Sequence, residues 1–238
     1  MPLLSIGIYI SFLLIDRESM TDITLYKRES SVIASSSILD NPHSAAKITI
    51  LDGPDGTGKT TYINELKKRF EETGLELRTL RFPDNRGDAH IRDVIMSEDI
   101  AQNPSAQMFL FFADMLLAFE RDIQPYIHNQ NVRFVLDRFL PSTMVYQHID
   151  LDFINSTFGL LYPEFVKTFR YAHYIYLMPN SLDELKERIA SKQGVEKNHF
   201  DPTTTLVMKN QVIDYWNIIS SHKEKGILGS YSAEIIFN

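Results

Sequence analysis

The amino-acid sequence predicts an α/β protein, a three-layer sandwich in which a five-stranded parallel sheet carries helices on both faces. Three observations point there. From Lys47 onward, short runs rich in β-branched and aromatic residues alternate with longer segments of helical periodicity, the signature of a mostly parallel sheet. The first of these runs leads into a glycine-rich loop that opens directly into a helical segment. A later run ends in an acidic residue followed by a basic one, at the carboxyl edge of a strand where such sheets place their ligand crevice.

A chain of 238 residues, 44% hydrophobic and 23% charged, has the make-up of one globular domain and the length to bury a core without metals or staples. Cysteine is absent, which removes a disulfide framework, a thiolate metal site and a cysteine nucleophile, and suits a reducing compartment. The net charge of −7 and pI near 5.5 argue against salt-driven binding to a nucleic acid polymer, which needs a clustered basic face. A small anionic ligand stays possible, because a pocket needs only a few local cations. The apolar run 3–15 is shorter than the roughly 20 residues that span a bilayer, and it lacks a basic leader and a small-residue cleavage site. No membrane association is therefore expected, and the expected location is cytoplasmic, in a host's cytoplasm if the gene is viral or from a phage.

Residues 1–46 read differently from the rest: an apolar start, a Ser-rich stretch over 30–37, and the turn-like Asp40, Asn41 and Pro42. They are expected to form a poorly ordered or accessory extension, the alternative being an edge strand or helix packed on the domain 47–238; a second methionine at Met20 makes a wrongly chosen start one origin for the leading run. Strands are predicted over 48–51, 75–80, 132–136, 174–177 and 234–237. A helix over 59–72 places Ile63, Leu66 and Phe70 on one face. A longer one over 106–127 carries Phe109, Phe111, Phe112 and Phe119, read as core on the usual burial of phenylalanine. Helices over 182–190 and 204–220 flank a polar stretch, 191–201, that has the composition of a lid.

The strongest motif is Gly53-Pro54-Asp55-Gly56-Thr57-Gly58-Lys59-Thr60, which fits G-x-x-x-x-G-K-[ST] between a predicted strand and a predicted helix. Chance matches to its fixed positions arise in on the order of one chain per hundred of this size, before the context is required. The glycines let successive backbone N–H groups curl around phosphate oxygens, and the helix start adds the positive end of its dipole. Lys59 supplies a point charge between the β- and γ-phosphates of ATP, and the Thr60 hydroxyl is placed to hold Mg²⁺. The fold is then the P-loop NTPase sandwich. At the end of the 132–136 strand, Asp137 has the chemistry to hold Mg²⁺ through water or to orient a nucleophile, and Arg138 that to neutralise a phosphate. A strand-capping ion pair is the alternative reading of the two.

Taken together, the loop with Thr61 behind it, Arg81-Phe82-Pro83, Asp137-Arg138-Phe139-Leu140-Pro141-Ser142 and the following Tyr146-Gln147 resemble the thymidylate kinases in order and spacing. The resemblance runs from about residue 47 to 238. It implies transfer of a phosphoryl group from ATP to a deoxynucleoside monophosphate, most simply dTMP to dTDP, with ATP, dTMP and Mg²⁺ as the small-molecule partners. Asp55 would contact the sugar 3′-hydroxyl, Arg81 would hold the acceptor phosphate, and Phe82 would stack on or pack against the base. Arg138 and Ser142 would border the acceptor, Tyr146 and Gln147 would close the base end, and a lid over 188–200 would cover the donor. The family is usually dimeric through helices, and the Phe-rich helix offers itself for a homodimer.

Two departures stand out. The family's arginine in the helix after the Phe-rich run falls at Met115, with Arg121 two turns on as a substitute. The lid region offers Arg188, Lys192 and Lys197, and lysine lacks the planar fork of a guanidinium, so a lid acting through lysine alone predicts a slower enzyme. Arg188 also reads as a solvated helix residue paired with Glu184. A nucleoside kinase, a kinase of broad base preference and a nucleotide-binding protein without turnover remain as alternatives.

Overall fold

Each β-rich run becomes a strand: β1 (Ile48–Asp52), β2 (Glu76–Arg81), β3 (Val132–Asp137), β4 (His173–Met178) and β5 (Ala233–Phe237). They form one sheet in the order β2-β3-β1-β4-β5, and every neighbouring pair is parallel. All residues of β1 are buried, as expected of a central strand covered on both faces. The register sets Asp137 beside both Leu51 and Arg81, so the carboxyl ends of β1, β2 and β3 finish level. This computed structural model describes residues 38, 42–84, 90–191 and 204–238, all within one compact unit, Ala34–Asn238. Most of the expected extension, and residues 192–201 of the expected lid, lie outside the described residues.

Helix α1 (Lys59–Glu71) buries Ile63, Leu66 and Phe70 against Leu51, Val135, Ile175 and Leu177. Ile38 joins that cluster and Ala45 packs against it, so the end of the segment before the sheet contributes to the core. Helix α9 (Thr205–Lys225) covers the opposite face, where its His222 meets Tyr174 and Tyr176 edge-on. Burial pushes the His222 imidazole down to about 4, and the neutral ring donates from Nε2 to the Ser230 carbonyl (3.0 Å) while accepting from the Tyr176 hydroxyl at Nδ1 (2.8 Å). Helix α9 runs past residue 220 because Ser-Ser-His-Lys-Glu-Lys holds no breaker, and it stops at Gly226 with φ +73°.

Between β2 and β3 lie the short helices α2 (Ile91–Ile95) and α3 (Glu98–Ala101), then α4 (Pro104–Ala118). The single helix expected over 106–127 is corrected. Asn103 caps α4 by accepting from Ala106 N at 3.0 Å, and the α-helix ends at Ala118 in a π turn, Phe119–Ile123, and a 3₁₀ turn, Gln124–Tyr126. Pro125 is the cause: it has no N–H for the Arg121 carbonyl, and its ring crowds that oxygen. The Phe group is corrected too. Phe111, Phe112 and Phe119 are buried, but Phe109 is 60% exposed, because two residues along a helix turn the side chain to the far side. After β3 follow α5 (Leu140–Gln147), α6 (Leu151–Leu161) and α7 (Pro163–Phe169), and after β4, α8 (Leu182–Ala190). Their phenylalanines form one ring cluster, with Phe139 4.7 Å from Phe169 and Phe165 4.9 Å from Phe158, which seats α5 at the carboxyl end of β3. Among the described residues no helix is long and apolar enough to cross a membrane.

Candidate active site

The phosphate loop turns between β1 and α1 on backbone angles that only glycine holds easily. At Gly53, φ is +138° and a Cβ would lie 2.1 Å from the Leu177 carbonyl oxygen; at Gly58, φ is +85° where α1 begins. Thr57 is buried and its hydroxyl donates to Pro54 O at 2.9 Å. Lys59, also buried, donates from Nζ to the carbonyls of Gly53 and Pro54, each at 2.7 Å. Burial, and next the charge of Arg138, bring its ammonium down to about 8. Thr60 and Thr61 face outward. Lys59, Thr60 and Thr61 line a cavity with Asp55, Gly56, Gly58, Arg81, Asp137, Arg138, Arg188 and Asn238. Asn238 carried no signal in the sequence. It follows β5 and donates from Nδ2 to Thr57 O at 3.0 Å, so the outer strand reaches the loop through the sheet order.

A second cavity of about 600 Å³, open solvent included, is of the size that takes small ligands. Asp55, Arg81, Phe82, Arg138, Ser142, Tyr146 and Gln147, the residues read from the motifs, all line it. Arg138 sits in the left-handed region (φ +69°) between β3 and α5, which turns its side chain back over the loop. Its Nη1 donates to Ser142 Oγ (3.0 Å) and, at 3.5 Å, to the Tyr146 hydroxyl, while Nη2 pairs with Asp55. Tyr146 donates to the other Asp55 oxygen at 3.1 Å, and burial pushes its phenol up, so it stays a donor. Arg81 lies 3.7 Å from Asp137 with its side chain 66% exposed. The Gln147 Oε1 is buried without a hydrogen-bond partner. Arg188 lines the loop cavity while its Nη2 donates to Glu184 at 2.6 Å, so the helix pair and the place beside the loop coexist. Lys192 and Lys197 lie outside the described residues.

Arg92, Met96, Phe111 and Met115 also line the second cavity. Arg92 and Phe111 were not read from the sequence as site residues. Arg92 belongs to no motif, and its Nη1 is held by Pro83 O at 3.0 Å. Phe111 followed helical periodicity and was assigned to the core. Arg121 does not take the place expected for it: it pairs with Asp84 and Asp122 on the π turn and is not among the lining residues. Asp84 N in turn donates to Asp114 Oδ2 at 2.8 Å, and burial raises the Asp114 carboxyl to about 6.

Asp55, Arg81 and Arg138 line both cavities, which therefore meet at one carboxylate and two guanidinium groups. A parallel sheet with a phosphate loop ahead of α1 and a second polar cleft beside it defines a P-loop nucleotide-binding protein with two adjoining subsites. The family model for thymidylate kinase matches residues 51–217, and the chain belongs to that family. It is 33% identical over 108 residues to a thymidylate kinase of Chlorobaculum tepidum, covering 43% of this chain and 50% of that protein. Similar relatives are the thymidylate kinases of Prochlorococcus marinus, 35% identical over 109 residues (42% and 51%), and of Chlamydia trachomatis serovar D, 33% over 102 residues (42% and 49%). The chain spans about half the length of the curated relatives it matches.

Proposed function

We propose that this protein transfers the γ-phosphoryl group of ATP to the phosphate of dTMP, giving dTDP. The observation that carries the reading is the shared wall: Asp55, Arg81 and Arg138 belong to both the loop cavity and the second cavity. Donor and acceptor phosphates held on either side of that wall would be neighbours, and alignment with charge neutralisation is the greater part of what phosphoryl transfer asks of a protein. In this reading Gly53, Pro54, Gly56, Thr57 and Gly58 wrap the donor phosphates, and Lys59 leaves its two loop carbonyls for the β- and γ-oxygens. Arg138 and Arg81 hold the acceptor phosphate, and Arg188 approaches the transferring group from α8. Asp55 takes a sugar hydroxyl in this reading, supported by its position in the acceptor cavity beside Tyr146 and Arg138. The acceptor phosphate is itself the nucleophile, so no general base and no covalent enzyme intermediate are invoked.

The donor set fits a magnesium ion. Asp137 Oδ1 is buried with no hydrogen-bond partner, and Asp137 shares the loop cavity with the outward-facing Thr60. These two residues would hold Mg²⁺, which when bound would supply positive charge to offset that of the phosphates.

Base choice has a second reading, favoured by one residue. Met115 lines the acceptor cavity and is 1% exposed, so it offers the base an apolar wall and no hydrogen bond. The aromatic Phe82 and Phe111 in the same cavity suit any base. A kinase of broad deoxynucleotide preference follows if Gln147 and Arg92 do not select. A coupled assay with ATP, Mg²⁺ and each of the four deoxynucleoside monophosphates separates the readings. We expect dTMP to be used best and thymidine not at all. Equal rates on all four monophosphates would establish the broad reading, thymidine as the preferred acceptor a nucleoside kinase, and ATP binding without turnover a nucleotide sensor.

We further infer a homodimer, supported by the exposed Phe109 and Leu117 on α4. Sedimentation should give twice the mass of the chain, and a monomeric mass at micromolar protein would remove the inference.

A further inference from the structure

Asp52, the last residue of β1, is fully buried yet carries no place in the phosphate-loop motif. Five donors converge on its carboxylate. Oδ1 accepts from Gly53 N (2.9 Å), Ser142 Oγ (2.6 Å) and the Tyr215 hydroxyl (2.8 Å). Oδ2 accepts from the backbone N–H of Phe139 (3.0 Å) and of Ser142 (3.2 Å). The two backbone donors stand at the start of α5, where N–H groups lack helical partners, and Asp52 satisfies them from another strand. They also follow directly on the bend that holds Arg138 at φ +69°. The hydroxyl that Ser142 gives to Asp52 accepts in turn from Arg138 Nη1 at 3.0 Å, so the guanidinium is tethered to Asp52 through one intervening oxygen.

We propose that Asp52 is a positioning residue for the acceptor subsite: it holds the β3–α5 bend and, through Ser142, the Arg138 side chain, with Tyr215 of α9 as its brace. This rests on the kinase reading above. A carboxylate is required because every partner donates. An amide would turn N–H groups toward Gly53 N–H or toward the N–H pair of Phe139 and Ser142, leaving a buried donor without an acceptor.

The test is a comparison of D52N and Y215F with the parent, reading thermal midpoint, kcat and both Michaelis constants. Tyr215 lines neither cavity, so Y215F removes a brace without touching nucleotide. We expect D52N to raise the dTMP KM by at least about tenfold and the ATP KM by less than about threefold, and Y215F to raise the dTMP KM by about threefold. In an R138K background D52N should add less than about threefold, because the group through which it acts is already gone. A purely structural role would lower kcat with the folded fraction and leave both Michaelis constants unmoved. That pattern, equal losses for both substrates, or additivity with R138K would overturn the proposal. If D52N does not fold, Y215F decides: an unchanged dTMP KM in the folded variant overturns it. Failure of the reading itself shows separately, as a parent chain without turnover. Calorimetric dTMP binding to parent and Y215F then takes the place of KM, and no binding to the parent overturns the proposal too.

Discussion

Lys59→Ala lowers the rate of phosphoryl transfer by at least about 10³-fold, because it removes the one ammonium buried inside the phosphate loop. The same change leaves the fold standing. In the free protein the ammonium is desolvated and faces Arg138, which is why it titrates near 8 instead of 10.5. Its charged form is thus less favourable in the folded chain than in the unfolded one. That cost is fully present below pH 8 and shrinks as pH rises from about 8 to 10.5. Lys59→Met, which keeps the stem, should therefore melt no lower than the parent at pH 7. Polyphosphate reverses the imbalance, so ATP binding should take up a proton above pH 8. Titration calorimetry at pH 8.5 in two buffers of different ionisation enthalpy measures that uptake, which should fall in Lys59→Met. Near-parental turnover in Lys59→Ala would end the kinase assignment.

Arg138→Lys should fare nearly as badly as Arg138→Ala, each losing at least about 10²-fold in kcat/KM for dTMP. The charge is retained in the lysine variant, yet the loss persists because the guanidinium does what a point charge does not. From two nitrogens it reaches Asp55, Ser142 and Tyr146 at once, and it lies on the wall between the cavities. Lysine and arginine suffer equally from the left-handed backbone at this position, so the comparison isolates the side chain. Steady-state kinetics over a range of dTMP concentrations gives the number. A lysine variant with parental kcat/KM would show that Arg138 acts only through charge and would remove the forked geometry from the mechanism.

Much of the site was legible in advance because its parts are local. Gly53 followed five residues later by Gly58-Lys59-Thr60, between a β-rich run and a helical period, reads as a turn with a helix behind it, and the structure has that turn. Arg138 was legible as the residue after a buried strand. The residues that were missed share a different property. Arg92 sits on a five-residue helix with no motif, and reaches the cleft because its guanidinium bonds the Pro83 carbonyl. Phe111 and Phe109 have the same composition signal and opposite fates, one lining the cleft and the other exposed, decided by which side of α4 faces the cleft. Arg121 looked available as a cation, but the π turn imposed by Pro125 delivers it to Asp84 and Asp122.

What the sequence determined alone is the class of the five strands and of the helices that begin near residues 59, 106, 182 and 204, with the chemistry of each short motif, since helical period, strand period and loop geometry are set by residues a few positions apart; the helices within 91–101 and 140–169 and the π turn at 119–123 carried no such signal. The tertiary structure decided the rest: strand order β2-β3-β1-β4-β5, the meeting of the two cavities at Asp55, Arg81 and Arg138, and the convergence on Asp52 of Ser142 and Tyr215, 90 and 163 positions away. Burial of both sheet faces is a competition among all the elements at once, so no local pattern encodes which distant donor ends beside which buried acceptor.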